Sequence, residues 1–347
     1  MCSEELSRLF RGVAVVEKGV AMWHNSFGSK FRLDIWGASH SPEVGVRISG
    51  VPQGIALSES DFEADLSRRR ASAKGTTARH EADIPMLRTG VEGGITTGEP
   101  IEIVFKNGDT RSSDYSQFES HNRPSHVDFT ARAKYGADVD LRGSGQFSGR
   151  MTVLLVAAGV VAKKIVESVE YSTDIIEIGG SRNRAQFSEI VAAAVADCDS
   201  VGGVVECRAK GVKIGLGDPF FDSVESIIAH LLFSVPAVKG VEFGSGFEGV
   251  KLRGSERNDC FIDGEGHTAT NNEGGINGGI TNGNDLVVRA AIKPTPSIAR
   301  EQMTYNKELG EVAPLVIKGR HDACIVLRAA VVVESVVAIA LAELSLQ

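Results

Sequence analysis

Four stretches of the 347-residue chain place charged or titratable side chains where chemistry could use them. Arg68, Arg69, Arg70, Lys74 and Arg79 crowd together in a chain of net charge −8. Against that background they are the best anion site on offer, because arginine grips phosphate or carboxylate through two parallel N–H donors. Cations in a last helical turn also suit the helix dipole, so a solvated helix end explains the same residues. The second stretch runs Arg142-Gly143-Ser144-Gly145-Gln146-Phe147-Ser148-Gly149-Arg150 and leads into an apolar helix over 151–168. A glycine loop feeding a helix N-terminus is a general phosphate-binding arrangement. The third stretch, 271–297, carries Gly274, Gly275, Gly278, Gly279 and Gly283, then an apolar run over 286–292, then Lys293-Pro294-Thr295-Pro296-Ser297. A glycine loop, a strand and a corner with one cation and two hydroxyls suit a phosphate-bearing cofactor. The spacing is neither a P-loop nor a dinucleotide fingerprint, since the glycines precede the strand. A purely structural glycine turn accounts for it equally. The fourth, Gly319-Arg320-His321-Asp322, is either a compact active-site cluster or a charged helix start.

Two histidines stand in positions suited to proton transfer. His40 lies in the loop 37–43 between two alternating stretches, Phe31/Leu33/Ile35 and Val44/Val46/Ile48, and loops between strands present side chains to ligands. A solvated turn histidine is the other reading. His126 follows Arg123-Pro124-Ser125, where Pro124 disfavours helix before it and Ser125 could cap a helix through Phe129, Ala133 and Lys134. In that first turn the helix dipole would favour a neutral imidazole, although an ordinary first-turn histidine fits as well.

These residues need a large scaffold, and the sequence repeats part of it. The pattern Ser60-Asp61-Phe62-Glu63 reads as a capping box opening the helix that ends in the arginines. The turn Gly93-Gly94-Ile95-Thr96-Thr97-Gly98 matches Gly278-Gly279-Ile280-Thr281-Asn282-Gly283 at five of six positions. Likewise Gly50 to Gly54 before the first helix echoes Gly211 to Gly217 before a second helix begun by Asp222-Ser223-Val224-Glu225. The echoes come in the same order, which implies a duplication with halves near 25–165 and 200–345 and a site where they meet. Between them, 170–200 reads as a polar strand and a short alanine-rich helix without chemistry.

Composition narrows the class. Hydrophobic residues make up 42% and charged residues 24%, ordinary for a soluble globular protein. The negative net charge argues against nucleic acid or an anionic membrane as main partner. Five scattered cysteines without CxxC spacing fit a reducing, cytoplasmic setting and offer no metal site. The apolar stretches at 151–161 and 324–344 are interrupted by charges and read as buried helices, not membrane spans. Residues 1–22 carry early acidic residues and no apolar signal region, and read as an N-terminal extension outside a single catalytic domain over 23–347.

Taken together the motifs resemble the chorismate synthase family, over about residues 25–340. Gly37-Ala38-Ser39-His40-Ser41 is similar to its Gly-Glu-Ser-His-Gly, and Arg123-Pro124-Ser125-His126-Val127-Asp128 to its Arg-Pro-Gly-His-Ala-Asp. The turn 49–54, the arginine helix end, the loop 143–152, the stretch 274–297 and the 319–322 cluster complete seven matches in order. The resemblance implies an α+β fold, a β–α–β sandwich with helices layered between two antiparallel sheets and pseudo-duplicated halves, and a homotetramer. It implies anti-1,4-elimination of phosphate from 5-enolpyruvylshikimate 3-phosphate to give chorismate, the last step of the shikimate pathway to the aromatic amino acids. Reduced FMN is required without net redox change, and NADPH or an external donor could reduce it.

By the same resemblance His40 would protonate or stabilise the reduced flavin, and His126 would act as general acid. Asp322 would help move the substrate proton through the flavin N5. Arg69, Lys74, Arg150 and Arg320 would bind substrate, Lys74 standing where arginine is common. Gln146, Phe147, Ser148, Pro236, Ala237, Gly278, Lys293, Pro294, Thr295, Pro296, Ser297 and Arg320 would hold the flavin. Ala38, Ser41, Gln146 and Met151 depart from the family pattern, next to His40 and in the cofactor loop. Two other readings differ in what they require. A flavin oxidoreductase with net hydride transfer needs a nicotinamide site, and a non-catalytic phosphometabolite- or flavin-binding homologue would bind ligands without releasing phosphate.

Overall fold

Two sheets of the same design carry the molecule. The computed structural model describes residues 25–70, 73–77, 79, 81–109, 118, 120–317, 319 and 321–347. The first half supplies β1 (Asn25–Phe27), β2 (Arg32–Gly37), β3 (Glu43–Ser49), α1 (Glu63–Arg69), β4 (Met86–Thr89), β5 (Val91–Glu92), β6 (Ile95–Thr96), β7 (Ile101–Lys106), α2 (Asp128–Tyr135) and α3 (Thr152–Ile165). The second supplies β8 (Glu170–Ile178), α4 (Phe187–Ala196), β9 (Gly203–Lys210), α5 (Val224–Ser234), β10 (Val238–Phe243), α6 (Gly246–Gly249) and α7 (Gly254–Arg257). It continues with β11 (Ile276–Asn277), β12 (Ile280–Thr281), β13 (Leu286–Ile292), β14 (Gln302–Asn306), β15 (Glu311–Leu315) and α8 (Val326–Ser345). The class is α+β, with antiparallel pairing throughout both main sheets.

Setting aside the short edge strand β1, the first sheet runs β2-β3-β7-β4 and the second β8-β9-β13-β10, the same order of equivalent strands. The glycine echoes mark the same corner in each. Thr96 Oγ1 accepts from Ile55 N at 2.9 Å and donates to Pro52 O at 2.6 Å. Thr281 Oγ1 accepts from Leu216 N at 2.9 Å and donates to Lys213 O at 2.6 Å. The second unit begins with β8 and not near residue 200. Its first strand opens with alternating exposed and half-buried polar residues over 170–174 and turns apolar only at Ile175, Ile176 and Ile178, so no apolar run announces its start.

Helices fill the space that the sheets' apolar faces must cover. α3 packs on β3 and along α8, and α8 packs on α5, β8 and β9. The closest approach is at Gly159, where an added Cβ would lie 2.4 Å from Ser335 Cβ. α8 is rich in valine, a mediocre helix former. Its helicity comes from burial, about 1.5–3 kcal/mol for each fully covered large apolar side chain. Glu343 near its end is buried and accepts from Ser29 N at 2.9 Å and Phe31 N at 2.6 Å, tying the helix to the start of β2. Arg142–Ile165 is long and apolar enough to cross a membrane by composition, yet 72% of that window is buried within the fold.

The Ser60 capping box lies two residues earlier than expected, with Ser58 N donating to Asp61 Oδ2 at 2.7 Å.

Candidate active site

The two halves meet around a cavity of about 880 Å³. Among the described residues, eight cations and three carboxylates line it, the reverse of the chain's overall balance. α1 ends there with Arg69 and Arg70, and the loop before α3 contributes Gly143 to Met151. α5 ends there with Phe233, Ser234 and then Val235, Pro236 and Ala237. Lys293, Thr295, Pro296 and Ser297 follow β13 into the same wall.

The charged wall is built on Asp83, a residue sequence reasoning missed. Its Oδ2 accepts from Arg69 Nη1 at 2.6 Å and its Oδ1 from Arg150 Nη1. All three are buried. Arg69 is fixed further by Thr152 Oγ1 at 3.1 Å and Arg150 O at 3.2 Å, and Arg150 by Asn107 Oδ1 at 2.9 Å and Lys106 O at 3.2 Å. Burial pulls the Arg69 guanidinium down to about 9; Asp83 opposes this, while Arg328 and Arg150 add to it. Arg79 joins the wall beside them, its Nη1 donating to Ser39 Oγ at 2.7 Å and its Nη2 to Glu81 Oε1 at 2.6 Å.

His126 also lines the cavity, ahead of α2 and not in its first turn. The helix begins at Asp128, and Ser125, with φ +55°, does not cap it. The Asp128 carboxylate can only accept, so His126 Nδ1–H donates to Asp128 Oδ1 at 3.2 Å and Nε2 is left to accept from Ser144 Oγ at 3.1 Å. Asp128 is locked by Arg123 Nε at 2.8 Å and Nη2 at 2.6 Å, which help hold its carboxyl far below the usual range although burial pushes it up. Burial lowers the His126 pKa, with Asp128 opposing, so the ring is neutral near pH 7. The neutrality expected from a helix dipole therefore has desolvation as its main cause.

Asp322 accepts from Thr77 N at 2.9 Å and from Arg328 Nη1 at 3.3 Å, and Arg328 Nε donates to Arg69 O at 2.9 Å. α8 thereby anchors both the carboxylate and the arginine helix end. Lys293 Nζ donates to Ser125 O at 2.8 Å, joining the second half to the histidine turn. Asp83, Ser125, Ser144 and Ala237 all line the cavity with positive φ, four of the six such non-glycine residues described. Strained backbone of this kind concentrates where side chains must be aimed.

Of the predicted residues, His126, Asp322, Arg69, Arg150, Gln146, Phe147, Ser148, Pro236, Ala237, Lys293, Thr295, Pro296 and Ser297 come together on this cavity. His40 stands one layer behind it: a Cβ on Gly143 would lie 2.8 Å from His40 Nε2. Lys74 is exposed and off the cavity, as are Pro294 and Gly278. Gly278 sits in the β11–β12 turn, whose hydrogen bonds go to the 213–216 corner. Arg320 lies outside the described residues, as does the 1–22 extension. Asp83 and Arg328 were missed because each acts through a partner distant in sequence, whereas Asp128 and Ser144 lie in motifs already singled out but their bonds to His126 were not read.

One side of the cavity is suited to a flat ring. Tyr135 and Phe147 pair at 6.3 Å between ring centroids, and Val235, Val238, Ile292 and Leu155 add apolar surface. Gln146 Nε2 and Thr295 Oγ1 line the cavity and are buried without a partner in the protein, while Gln146 Oε1 accepts from Asn25 Nδ2 at 3.2 Å. Two such orphan groups are what a bound polar heterocycle would satisfy.

Fold and cavity together define an α+β enzyme that handles a small anionic molecule beside an apolar, hydrogen-bonding wall. The family model for chorismate synthase matches residues 31–346. Chorismate synthase of Chitinophaga pinensis is 53% identical over 93% of this chain and 96% of its own. That of Korarchaeum cryptofilum is 43% identical over 91% and 96%. A crystal structure of chorismate synthase superposes with a TM-score of 0.70 at 25% identity, covering 92% of each chain. The chain belongs to the chorismate synthase family, carbon–oxygen lyases acting on phosphates.

Proposed function

We propose that the cavity binds 5-enolpyruvylshikimate 3-phosphate and eliminates its phosphate in the anti-1,4 sense, giving chorismate. The observation that carries this is the charge inversion of the cavity: among the described residues, eight cations face three carboxylates in a chain of net charge −8. Arg69 and Arg150 meet the phosphoryl group and Arg79 a carboxylate. Fixed donors in a water-poor site stabilise a departing dianion far better than water does. His126, neutral at rest with its Nε2 lone pair facing Ser144, takes up a proton at Nε2 when the anionic substrate binds and then hands that proton to the leaving group. Asp322, oriented by Thr77 and Arg328, receives the proton lost from carbon. Family membership favours elimination over hydride transfer or mere binding.

Reduced FMN fits the apolar side. Gln146 Nε2 and Thr295 Oγ1 would donate to it, Phe147 and the 235–238 segment would pack on it, and Lys293 and Ser297 would meet its polar edge. When bound it supplies an electron-rich ring and is recovered unchanged; NADPH is the candidate reductant. We assign His40 to the support of the cofactor loop from behind Gly143.

We further infer one catalytic domain over 23–347 with 1–22 as an extension, helices layered between the two sheets as a β–α–β sandwich, and a cytoplasmic homotetramer. Phe220, Phe221, Phe247 and Val250 are 72–88% exposed, and apolar surface of that kind usually marks an interface between chains.

The test is an anaerobic assay of phosphate release from 5-enolpyruvylshikimate 3-phosphate with dithionite-reduced FMN. Release by the parent, falling by about 10²–10⁴-fold in His126→Ala, is expected. No release from protein shown to hold FMN would refute the reading.

A further inference from the structure

Two buried arginines close on one buried carboxylate at the wall where the phosphoryl group is read to bind. The side chains of Arg69 and Arg150 are each 3% exposed and that of Asp83 is 1% exposed. Asp83 belongs to no helix or strand; it sits at φ +48° in the segment before β4, aimed back at α1 and at the start of α3. It takes one Nη1 from each guanidinium, one on either carboxylate oxygen. The backs of both guanidinium groups are committed to Thr152, Asn107 and main-chain carbonyls. Each Nη1 carries a second N–H. The trio therefore has a net charge of +1, where the arginines alone would have +2.

A wall with two uncompensated buried guanidinium groups would bind phosphate very strongly, because like charges facing a dianion in a poorly screened site all pull the same way. An eliminating enzyme must let its phosphate go. We propose that Asp83 is a positioning residue that holds Arg69 and Arg150 as a pair and, by cancelling one of their charges, limits how tightly the wall retains phosphate. This rests on the reading of the cavity as the phosphate-eliminating site. In this role Asp83 acts as a permanent internal anion: it shapes the arginines in the empty site and competes electrostatically with the released product.

The experiment compares the FMN-loaded parent with Asp83→Asn, which keeps the side-chain shape and one acceptor oxygen. Inorganic phosphate is titrated by calorimetry, and melting is followed with and without it. The expected result is phosphate binding tighter by about tenfold or more in Asp83→Asn. The variant melts lower than the parent in its absence and recovers more on its addition. Product inhibition by phosphate strengthens by the same factor. A merely structural Asp83 would leave the phosphate-induced melting shift equal in the two proteins. Asp83→Glu, which keeps the charge, should bind phosphate within about threefold of the parent. Recovery of Asp83→Asn only from phosphate buffer would support the proposal, since the ligand then replaces the missing carboxylate. Equal or weaker phosphate binding by folded Asp83→Asn would overturn it, as would a variant unfolded both with and without phosphate. Phosphate release from 5-enolpyruvylshikimate 3-phosphate is measured in the parent alongside. Its absence there would sink the proposed function, whereas its presence with unchanged phosphate affinity would sink the role of Asp83 alone.

Discussion

α1 and α5 occupy equivalent places in the two halves, and both end on the same cavity. α1 delivers Arg69 and Arg70; α5 delivers Phe233, Ser234 and the segment Val235-Pro236-Ala237. One helix end makes a charged wall and its counterpart an apolar one. At the Thr96 and Thr281 corners, by contrast, the hydrogen bonds are the same to within the same atoms. Repetition has been kept where a strand connection needs it and abandoned where the cavity needs two chemically different sides. A symmetric cavity would hold two anions or two rings; the asymmetric one can hold one of each.

The strongest way to break this comparison is to exchange character at the walls. Arg150→Met leaves Asp83 with one partner, and disrupting a buried ion pair costs about 3–5 kcal/mol. Phosphate release should also fall about 10²–10³-fold with the lost donors. Phe233→Leu on the opposite wall, 55% exposed, should cost less than about 1 kcal/mol and change release only slightly. Urea unfolding and steady-state phosphate release measure both, and comparable losses would erase the division of labour.

The two central helices offer a second, smaller test. α3 buries no acidic side chain, whereas α8 buries Glu334 and Glu343. Burial alone would raise the Glu334 carboxyl, but Arg68 at 2.7 Å and 2.8 Å and Lys163 at 2.6 Å bring it to about 2. A folded value below the unfolded one means stabilisation is complete above about pH 5 and is lost as pH falls toward 2. The size is about 3 kcal/mol. Urea titrations between pH 5 and 2.5 should show this slope in the parent and a flatter one in Glu334→Gln. An undiminished slope would assign acid sensitivity elsewhere. The smallest effect is the sharpest check of equivalence. Thr96→Val and Thr281→Val should each cost about 1–2 kcal/mol and agree within about 0.5 kcal/mol, with FMN binding retained in both; unequal costs would show that only one corner still supports its half.

The sequence made the repeated corners legible because their positive-φ positions are filled by glycine, as at 93–98 and 278–283. The run Leu286–Ile292 was legible as a strand for the same kind of reason, a short apolar stretch between turns. The start of the second half was not, since β8 opens with the polar stretch 170–174 and its isoleucines come only at 175, 176 and 178. Local spelling also misled at Gly278, where glycine serves the hairpin and not the cavity. At His126 the motif pointed to the right residue but the wrong local structure. Asp83 was invisible because nothing in an acidic loop residue announces that Arg150 will fold back onto it. What decides its importance is a meeting of three segments, α1, the 81–85 loop and the entry to α3, and such meetings are written only in the tertiary fold.

Glu343 accepts hydrogen bonds from the backbone of Ser29, Lys30 and Phe31, so the last helix finishes against the first strands. The described chain is therefore nearly a closed ring, its last helix bonded to the segment between its first two strands. A ring can be opened anywhere its contacts permit. Joining 347 to 25 through a linker and cutting at the turn 166–169 would give a circular permutant in which the second half is read first. The two units would trade places in the gene while every wall of the cavity kept its place in space.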